Sequence, residues 1–324
     1  MKTIKIGLLG LGNIGTGTYK TLEMNRSEIE STLNAKVEIV KILERDTERD
    51  RGITVPKEKF TSDPDEIFQD PEIDIVIELL GGIEPATTFM LSALKNGKHV
   101  VTANKAALAA NYHELINAAK ENNVILRFEA SVGGGIPILG TLTGPLRANK
   151  FEEVMGILNG TTNYILTMMT KEGLDYETAL KDAQEQGFAE ADPTADVEGI
   201  DAANKLTILM ALMFDKYVAP KDIPTTGITE ITKEKIEEAR SNGCKIKLIA
   251  HAWRNENDEI KYEVRPMYIS ATHPLANINK EFNAVFVKGN AVDDVMFYGK
   301  GAGPLPTGSA VLGDVIDISM MILK

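Results

Sequence analysis

Short runs of β-branched and aliphatic residues alternate with helical spacing through the first 130 positions. Residues 4–9 form a buried-strand pattern that runs straight into Gly10-Leu11-Gly12-Asn13-Ile14-Gly15. A helix is predicted from that loop to about residue 30, then a strand over 36–43. Residues 74–80 are almost wholly apolar after the first, as in a strand covered on both faces. Gly81 and Gly82 end it. A helix is predicted over 85–96 with Gly97 as its stop, a strand over 98–102, a helix over 106–121 and a strand over 124–130. This rhythm predicts an α/β fold: an open, doubly wound parallel sheet with helices on both faces.

Beyond residue 130 the rhythm changes. A Gly-rich turn at 131–135 precedes Pro137, which can open a helix. A strand over 151–158, helices over 162–170 and 176–186, and an acidic loop at 188–199 follow. Residues 200–214 are a strong helix pattern, and strand-like runs at 244–253, 259–269 and 284–298 suit antiparallel pairing. The expected division is a dinucleotide-binding domain over 1–134, with the apolar helical tail to 324 returning to it, and an α+β domain over 135–303.

Composition adds bounds. Thirty-five basic against 47 acidic residues give a net charge of −12, which disfavours nucleic acid as a partner. The single cysteine, Cys244, permits no internal disulfide and fits a reducing compartment. The first residues lack the order of a signal peptide, and no run of about 20 apolar residues is apparent. The expectation is a cytoplasmic protein with no membrane partner.

The glycine loop matches the G-x-G-x-x-G dinucleotide fingerprint in its required context, after a strand and before a helix. Gly10 allows the tight turn, Gly12 lets a pyrophosphate approach the backbone, and Gly15 lets the helix lie close to the sheet. At the end of the second strand, Glu44 is placed to accept from a ribose 2′-hydroxyl, favouring NAD, and Arg45 to hold a 2′-phosphate, favouring NADP. The choice between the two stays open.

Histidines 99, 113, 251 and 273 form no metal-binding spacing, and Cys244, at the start of an apolar strand, reads as buried rather than nucleophilic. That leaves lysine and carboxylates for the chemistry. Gly187, Glu190, Asp192, Asp196 and Asp201 precede Lys205; Asp201 and Lys205 lie four apart, on one face of the predicted helix. Alone, such a pair reads as a surface ion pair, but the helix continues as Leu206-Thr207-Ile208-Leu209-Met210, too apolar for the surface. A lysine at the start of a buried helix among acids can donate a proton, and the acids can hold an ammonium. Lys105 follows the strand ending at Thr102, at the carboxyl end of a parallel strand where ligands of such sheets bind.

Together these motifs closely resemble homoserine dehydrogenases over nearly the whole chain. The carriers are Gly10 to Gly15, Thr102-Ala103-Asn104-Lys105, Asn159-Gly160-Thr161-Thr162-Asn163-Tyr164, Gly187-Phe188-Ala189-Glu190-Ala191-Asp192-Pro193, Gly199-Ile200-Asp201-Ala202-Ala203-Asn204-Lys205 and Gly301-Ala302-Gly303. The resemblance implies a Rossmann-type domain with a second catalytic and dimerisation domain. It implies NAD(P)H-dependent reduction of L-aspartate 4-semialdehyde to L-homoserine, for threonine and methionine biosynthesis. It implies Lys205 as proton donor, with Glu190, Asp201 and Lys105 binding substrate. It implies a cofactor held by Gly10, Leu11, Gly12, Asn13, Ile14, Gly15, Arg45, Lys105, Gly187 and Gly303. A sodium ion held mostly by main-chain oxygens of Glu129, Val132, Gly134 and Ile136, and a homodimer, are further family expectations. Only 21 residues follow Gly303, so the C-terminal threonine-sensing domain of many members does not fit within this sequence. Two other readings are a dehydrogenase acting at a C–N bond, which would need ammonia as a co-substrate, and a nucleotide-binding redox sensor without turnover, which would have no use for the acid–lysine cluster.

Overall fold

The computed structural model describes residues 2–324 and divides into two compact units, Met1–Gly135 with Ala302–Lys324, and Ile136–Gly301. In the first, the strands are β1 (Thr3–Leu9), β2 (Lys36–Leu43), β3 (Phe60–Thr61), β4 (Ile75–Glu78), β5 (His99–Thr102) and β6 (Leu126–Arg127). The helices are α1 (Asn13–Met24), α2 (Arg26–Leu33), α3 (Asp65–Phe68), α4 (Ala86–Lys95), α5 (Lys105–Ala110) and α6 (Tyr112–Glu121). All six strands are parallel, in the order β3-β2-β1-β4-β5-β6. Strand order reverses between β1 and β4, which opens a crevice at their carboxyl ends. The core joins Ile4, Ile6 and Leu8 of β1 to Val37, Ile39, Ile75 and Ile77 of its neighbours. This is the doubly wound sheet expected from the alternation of apolar runs.

Local chemistry corrects three predicted boundaries. The helix expected to about residue 30 breaks at Asn25 (φ −115°, ψ 19°) and resumes to Leu33. The helix expected over 106–121 breaks at Asn111, whose amide donates to Thr87 Oγ1 and to the Ala107 carbonyl, an alternative to continuing the helix. The strand expected over 124–130 is only two residues long. Asn123 is left-handed at φ 54°, and Glu129–Ser131 turns as a 3-10 helix.

The C-terminal helix, Pro304–Ile322, also departs from expectation. By length and composition it is long and apolar enough to cross a membrane, against the expectation of no such run. Val311, Leu312, Val315 and Ile318 explain the hydropathy: they sit in the core of the first unit. The helix crosses α1 so closely that a Cβ on Gly17 would meet the Pro304 backbone.

The second unit contains α7 (Leu139–Thr143), β7 (Phe151–Ile157), α8 (Gly160–Glu172), α9 (Tyr176–Glu185), α10 (Thr194–Val197), α11 (Ile200–Phe214), α12 (Lys233–Ser241), β8 (Cys244–Arg254), β9 (Ile260–Ser270), β10 (Phe282–Gly289) and β11 (Asp293–Lys300). The sheet is antiparallel throughout, in the order β11-β10-β7-β8-β9. The predicted strand over 284–298 is in fact a hairpin of β10 and β11. The helix Lys233–Ser241 was not anticipated; two-thirds of it is charged, and only Ile236 and Ala239 are buried. Cys244 is partly exposed rather than buried, because it opens β8 straight after the turn at Gly243, and its Sγ donates to the Asn242 carbonyl.

Candidate active site

The glycine loop leaves β1 at the switch point. Gly10 is left-handed (φ 92°), which a side chain would strain. Gly12 is the N-cap of α1, makes no side-chain cap bond, and has no atom within 4 Å of where a Cβ would sit. The first turn of α1, beginning at Asn13 and Ile14, carries no acidic residue. A Cβ on Gly15 would overlap the Gly10 carbonyl oxygen, so the helix start lies directly against the turn. An open, uncapped helix N-terminus backed by this cradle is suited to an anion, and a dinucleotide pyrophosphate fits it.

Glu44 serves the loop itself. Its Oε2 accepts from Leu11 N–H at 3.0 Å, and Oε1 accepts from the N–H groups of Arg45 (2.9 Å) and Asp46 (3.1 Å). Arg51 closes the arrangement, donating to the Leu11 carbonyl at 2.7 Å and lying 3.4 Å from Glu44. Burial pushes the Glu44 carboxyl up, but these donors and the Arg51 charge outweigh it and hold the group below the ordinary glutamate value. The Arg45 side chain is exposed. With Glu44, Ser62, Leu80, Gly81 and Phe89 it lines a cavity of about 290 Å³.

Lys105 is the first residue of α5, past the carboxyl end of β5. Its loop is held by a residue that sequence reasoning passed over. Glu78, fully buried at the end of β4, accepts from Thr102 Oγ1 at 2.6 Å and from Leu80 N–H at 2.8 Å. Thr102 Oγ1 in turn accepts from Asn104 N–H, and Asn104 caps α5 through Ala107 N–H while its amide reaches the Gly82 carbonyl at 2.7 Å. Burial raises the Glu78 pKa over the opposition of these donors. One buried carboxyl thus ties the loops after β4 and β5 together. Its only signal in the sequence is an acid closing an otherwise apolar strand.

Gly303 is left-handed (φ 120°) at the N-cap of the C-terminal helix. The segment of Glu129, Val132, Gly134 and Ile136 turns through two successive left-handed glycines, Gly133 and Gly134. Glu129 N–H donates to Asp314. Among the described residues no cluster of three or more His, Cys, Asp or Glu side chains could hold a metal ion. Oxygen is the only donor type this segment offers, mostly from the main chain, and oxygen suits a hard cation.

In the second unit, Gly199 (φ 82°) turns the chain into α11 and puts Asp201 in its first turn, where the helix dipole favours an anion. Asp201 and Lys205 are 7% and 8% exposed, so theirs is no surface ion pair. Lys205 Nζ donates to Asp201 Oδ2 at 2.6 Å and to the Leu158 carbonyl, past the end of β7, also at 2.6 Å. Asn159, the N-cap of α8, completes the arrangement. Its amide donates to Asp196 Oδ1 at 2.6 Å and Asp201 Oδ2 at 3.0 Å, while its oxygen accepts from Thr162 N–H. Thr161 Oγ1 is in reach of Asp196 Oδ2 (2.9 Å) and the Phe188 carbonyl (2.6 Å). The structure therefore unites Lys205, Asp201 and Asp196 and adds Asn159 and Thr161. Glu190 and Gly187 stand outside this set, exposed on the loop. A lysine ammonium has three N–H bonds; two are spent on Leu158 and Asp201, and the third can point at a substrate oxygen.

Comparison with known proteins agrees with this chemistry. The family model described as homoserine dehydrogenase matches residues 137–316, and that of the homoserine dehydrogenase NAD binding domain matches 10–129. The homoserine dehydrogenase of Bacillus subtilis (strain 168) is 45% identical over 98% of this chain and 73% of its own length. That of Pseudomonas aeruginosa is 41% identical over 98% and 73%. The crystal structure of a homoserine dehydrogenase from Thiobacillus denitrificans superposes with a TM-score of 0.96 at 43% identity, covering 99% of this chain and 74% of that one. A hyperthermophilic archaeal homoserine dehydrogenase in complex with NADPH gives 0.82 at 25% identity, covering 98% of both. The chain belongs to the homoserine dehydrogenase family, as an NAD(P)-dependent oxidoreductase that interconverts L-homoserine and L-aspartate 4-semialdehyde in threonine and methionine biosynthesis.

Proposed function

We propose that Lys205 is the proton donor of this reaction. The observation that carries the reading is its burial with two fixed partners, Asp201 Oδ2 and the Leu158 carbonyl, which leaves one N–H for the substrate. Reduction of the semialdehyde adds a hydride to the carbonyl carbon and a proton to its oxygen. The bound nicotinamide supplies the hydride. Lys205 stabilises the charge growing on oxygen and donates the proton; in the oxidative direction the neutral amine takes it back. Asp201 keeps Lys205 oriented, and with Glu190 it holds the polar ends of the substrate. Lys105 contributes positive potential at the junction of cofactor and substrate.

The nucleotide is assigned to Gly10, Leu11, Gly12, Asn13, Ile14 and Gly15, and the family resemblance adds Gly187 and Gly303. NADPH is the preferred coenzyme in this reading. Loop N–H groups take three of the acceptor positions on Glu44, and exposed Arg45 lines the cavity beside it. The archaeal relative solved with NADPH supports the same choice. A sodium ion on main-chain oxygens of Glu129, Val132, Gly134 and Ile136 is consistent with the turn through Gly133 and Gly134. A homodimer is supported by the exposed Met296 and Tyr298 on the edge strand β11, and light scattering on the purified protein tests it. A cytoplasmic location follows the biosynthetic role.

The test is steady-state oxidation of L-homoserine with NADP and NAD in parallel. Replacing Lys205 by Ala lowers kcat on the order of 10²–10⁴-fold and leaves the Kd for NADPH unchanged. Turnover within threefold of wild type eliminates the assignment.

A further inference from the structure

We infer that Asn159 is a positioning residue for the Lys205 proton donor: its amide spaces two carboxylates so that Asp201 can hold the lysine. The inference rests on the Lys205 reading above. Asn159 is 6% exposed and every polar atom of its side chain is engaged. The two amide hydrogens go to different carboxylates, Asp196 Oδ1 on α10 and Asp201 Oδ2 on α11. Asp201 Oδ2 is the same atom that accepts from Lys205. Its position is therefore set by two donors converging from different elements. Without the amide, half-buried Asp196 and buried Asp201 would lose the donor they share, leaving Thr161 Oγ1 on Asp196 and Lys205 Nζ on Asp201. Like charges that share a partly buried site repel each other.

The adjacent Leu158 carbonyl is the other acceptor of Lys205. The dipeptide 158–159 therefore governs both lysine contacts, one through its backbone and one through an intermediary. A helix cap alone does not require this residue: Asp and Ser cap at least as well as Asn. The amide is the feature they lack, because a carboxylate or hydroxyl cannot give one hydrogen to each of two carboxylates.

That difference supplies the experiment. Asn159→Asp keeps the cap on Thr162 but turns the two donors into an acceptor facing Asp196 and Asp201, with Lys205 behind. Asn159→Ser keeps the cap and adds no charge. Both are assayed for kcat, KM and melting temperature beside Lys205→Ala, across a pH series. The expected result is a kcat lowered on the order of tenfold or more in Asn159→Asp, with the KM for coenzyme near wild type; the added like charge also lowers its melting temperature, whereas Asn159→Ser melts closer to wild type. The deficit shrinks at acid pH, where the introduced carboxyl is protonated and can donate one bond. Asn159→Ser also loses kcat but shows no such recovery. It carries the test alone should the carboxylate variant fail to fold. If both variants turn over within twofold of wild type while Lys205→Ala is inactive, Asn159 is only a cap and the inference fails. If Lys205→Ala itself remains active, the failure lies in the Lys205 reading.

Discussion

Gly12 and Gly15 separate two demands on the nucleotide loop, and substituting each by Ala should produce opposite phenotypes. A methyl at Gly15 would overlap the Gly10 carbonyl oxygen and lie 3.1 Å from its carbon. Both are backbone atoms, so no rotamer change relieves the clash, and α1 must move off the end of β1. Overpacking of this kind costs roughly 1–3 kcal/mol, which for a unit of this size is about 2–10 °C in melting temperature. At Gly12 a methyl meets nothing within 4 Å, and φ is −73°, open to any L residue. Gly12→Ala should therefore melt within a degree or two of wild type. The open space is where a pyrophosphate would lie, so NADPH affinity should fall about tenfold or more, equal to roughly 1.4 kcal/mol. Thermal melts followed by circular dichroism, with NADPH fluorescence titrations on the same samples, give both quantities. A Gly12→Ala protein that binds NADPH normally would refute the placement of the anion. A Gly15→Ala protein that melts like wild type would refute the packing argument.

Three further outcomes follow from the structure. Arg45→Ala should weaken NADPH binding on the order of tenfold and leave NADH nearly unaffected, so equal losses for both coenzymes would remove the 2′-phosphate assignment. Glu78→Ala strands Thr102 Oγ1 and Leu80 N–H. It should cost roughly 2–4 kcal/mol in urea unfolding and raise the KM for coenzyme, whereas a silent substitution would deny the tie between the two loops. Burial pushes Lys247 down to about 7 from 10.5, with its Nζ donating to Asn163 Oδ1 and the Ile278 carbonyl. The unfolded chain then binds more protons than the folded one between these values, so this residue's contribution rises with pH across the window and is lost as pH falls through about 7. The stability of wild type relative to Lys247→Met should accordingly grow by a few kcal/mol, on the order of 3, between about pH 7 and pH 10. A flat difference would mean that the lysine is solvated.

Much of the fold was legible because periodicity reports burial directly. The strand over 36–43 and the helix over 200–214 were found at their observed bounds, since each runs unbroken between clear stops. The breaks at Asn25 and Asn111 were not legible. At Asn111 the break comes from its own side-chain hydrogen bonds, to Thr87 and Ala107, which compete with the helix; nothing in the structure explains the break at Asn25. The apolar tail shows how hydropathy misleads when one face is packed in a core.

The site divides the same way. Asp201 and Lys205 were readable as an i,i+4 pair on an apolar helix, and the glycine loop as a fingerprint. Asn159 and Glu78 were not, because their partners are remote in sequence: Asp196 and Asp201 lie 37 and 42 positions from Asn159, and Thr102 lies 24 from Glu78. The reading of Glu44 as a ribose acceptor says nothing of its second task, accepting from the loop N–H groups, a geometry that composition does not encode.

The central claim is that the Lys205 ammonium delivers the proton to the nascent alkoxide. Single-turnover mixing of NADPH-loaded enzyme with L-aspartate 4-semialdehyde, followed by loss of reduced-nicotinamide absorbance, isolates that step from product release. Lys205→Ala should slow the transient on the order of 100-fold or more with its NADPH Kd unchanged. A transient as fast as that of the wild type would contradict the account.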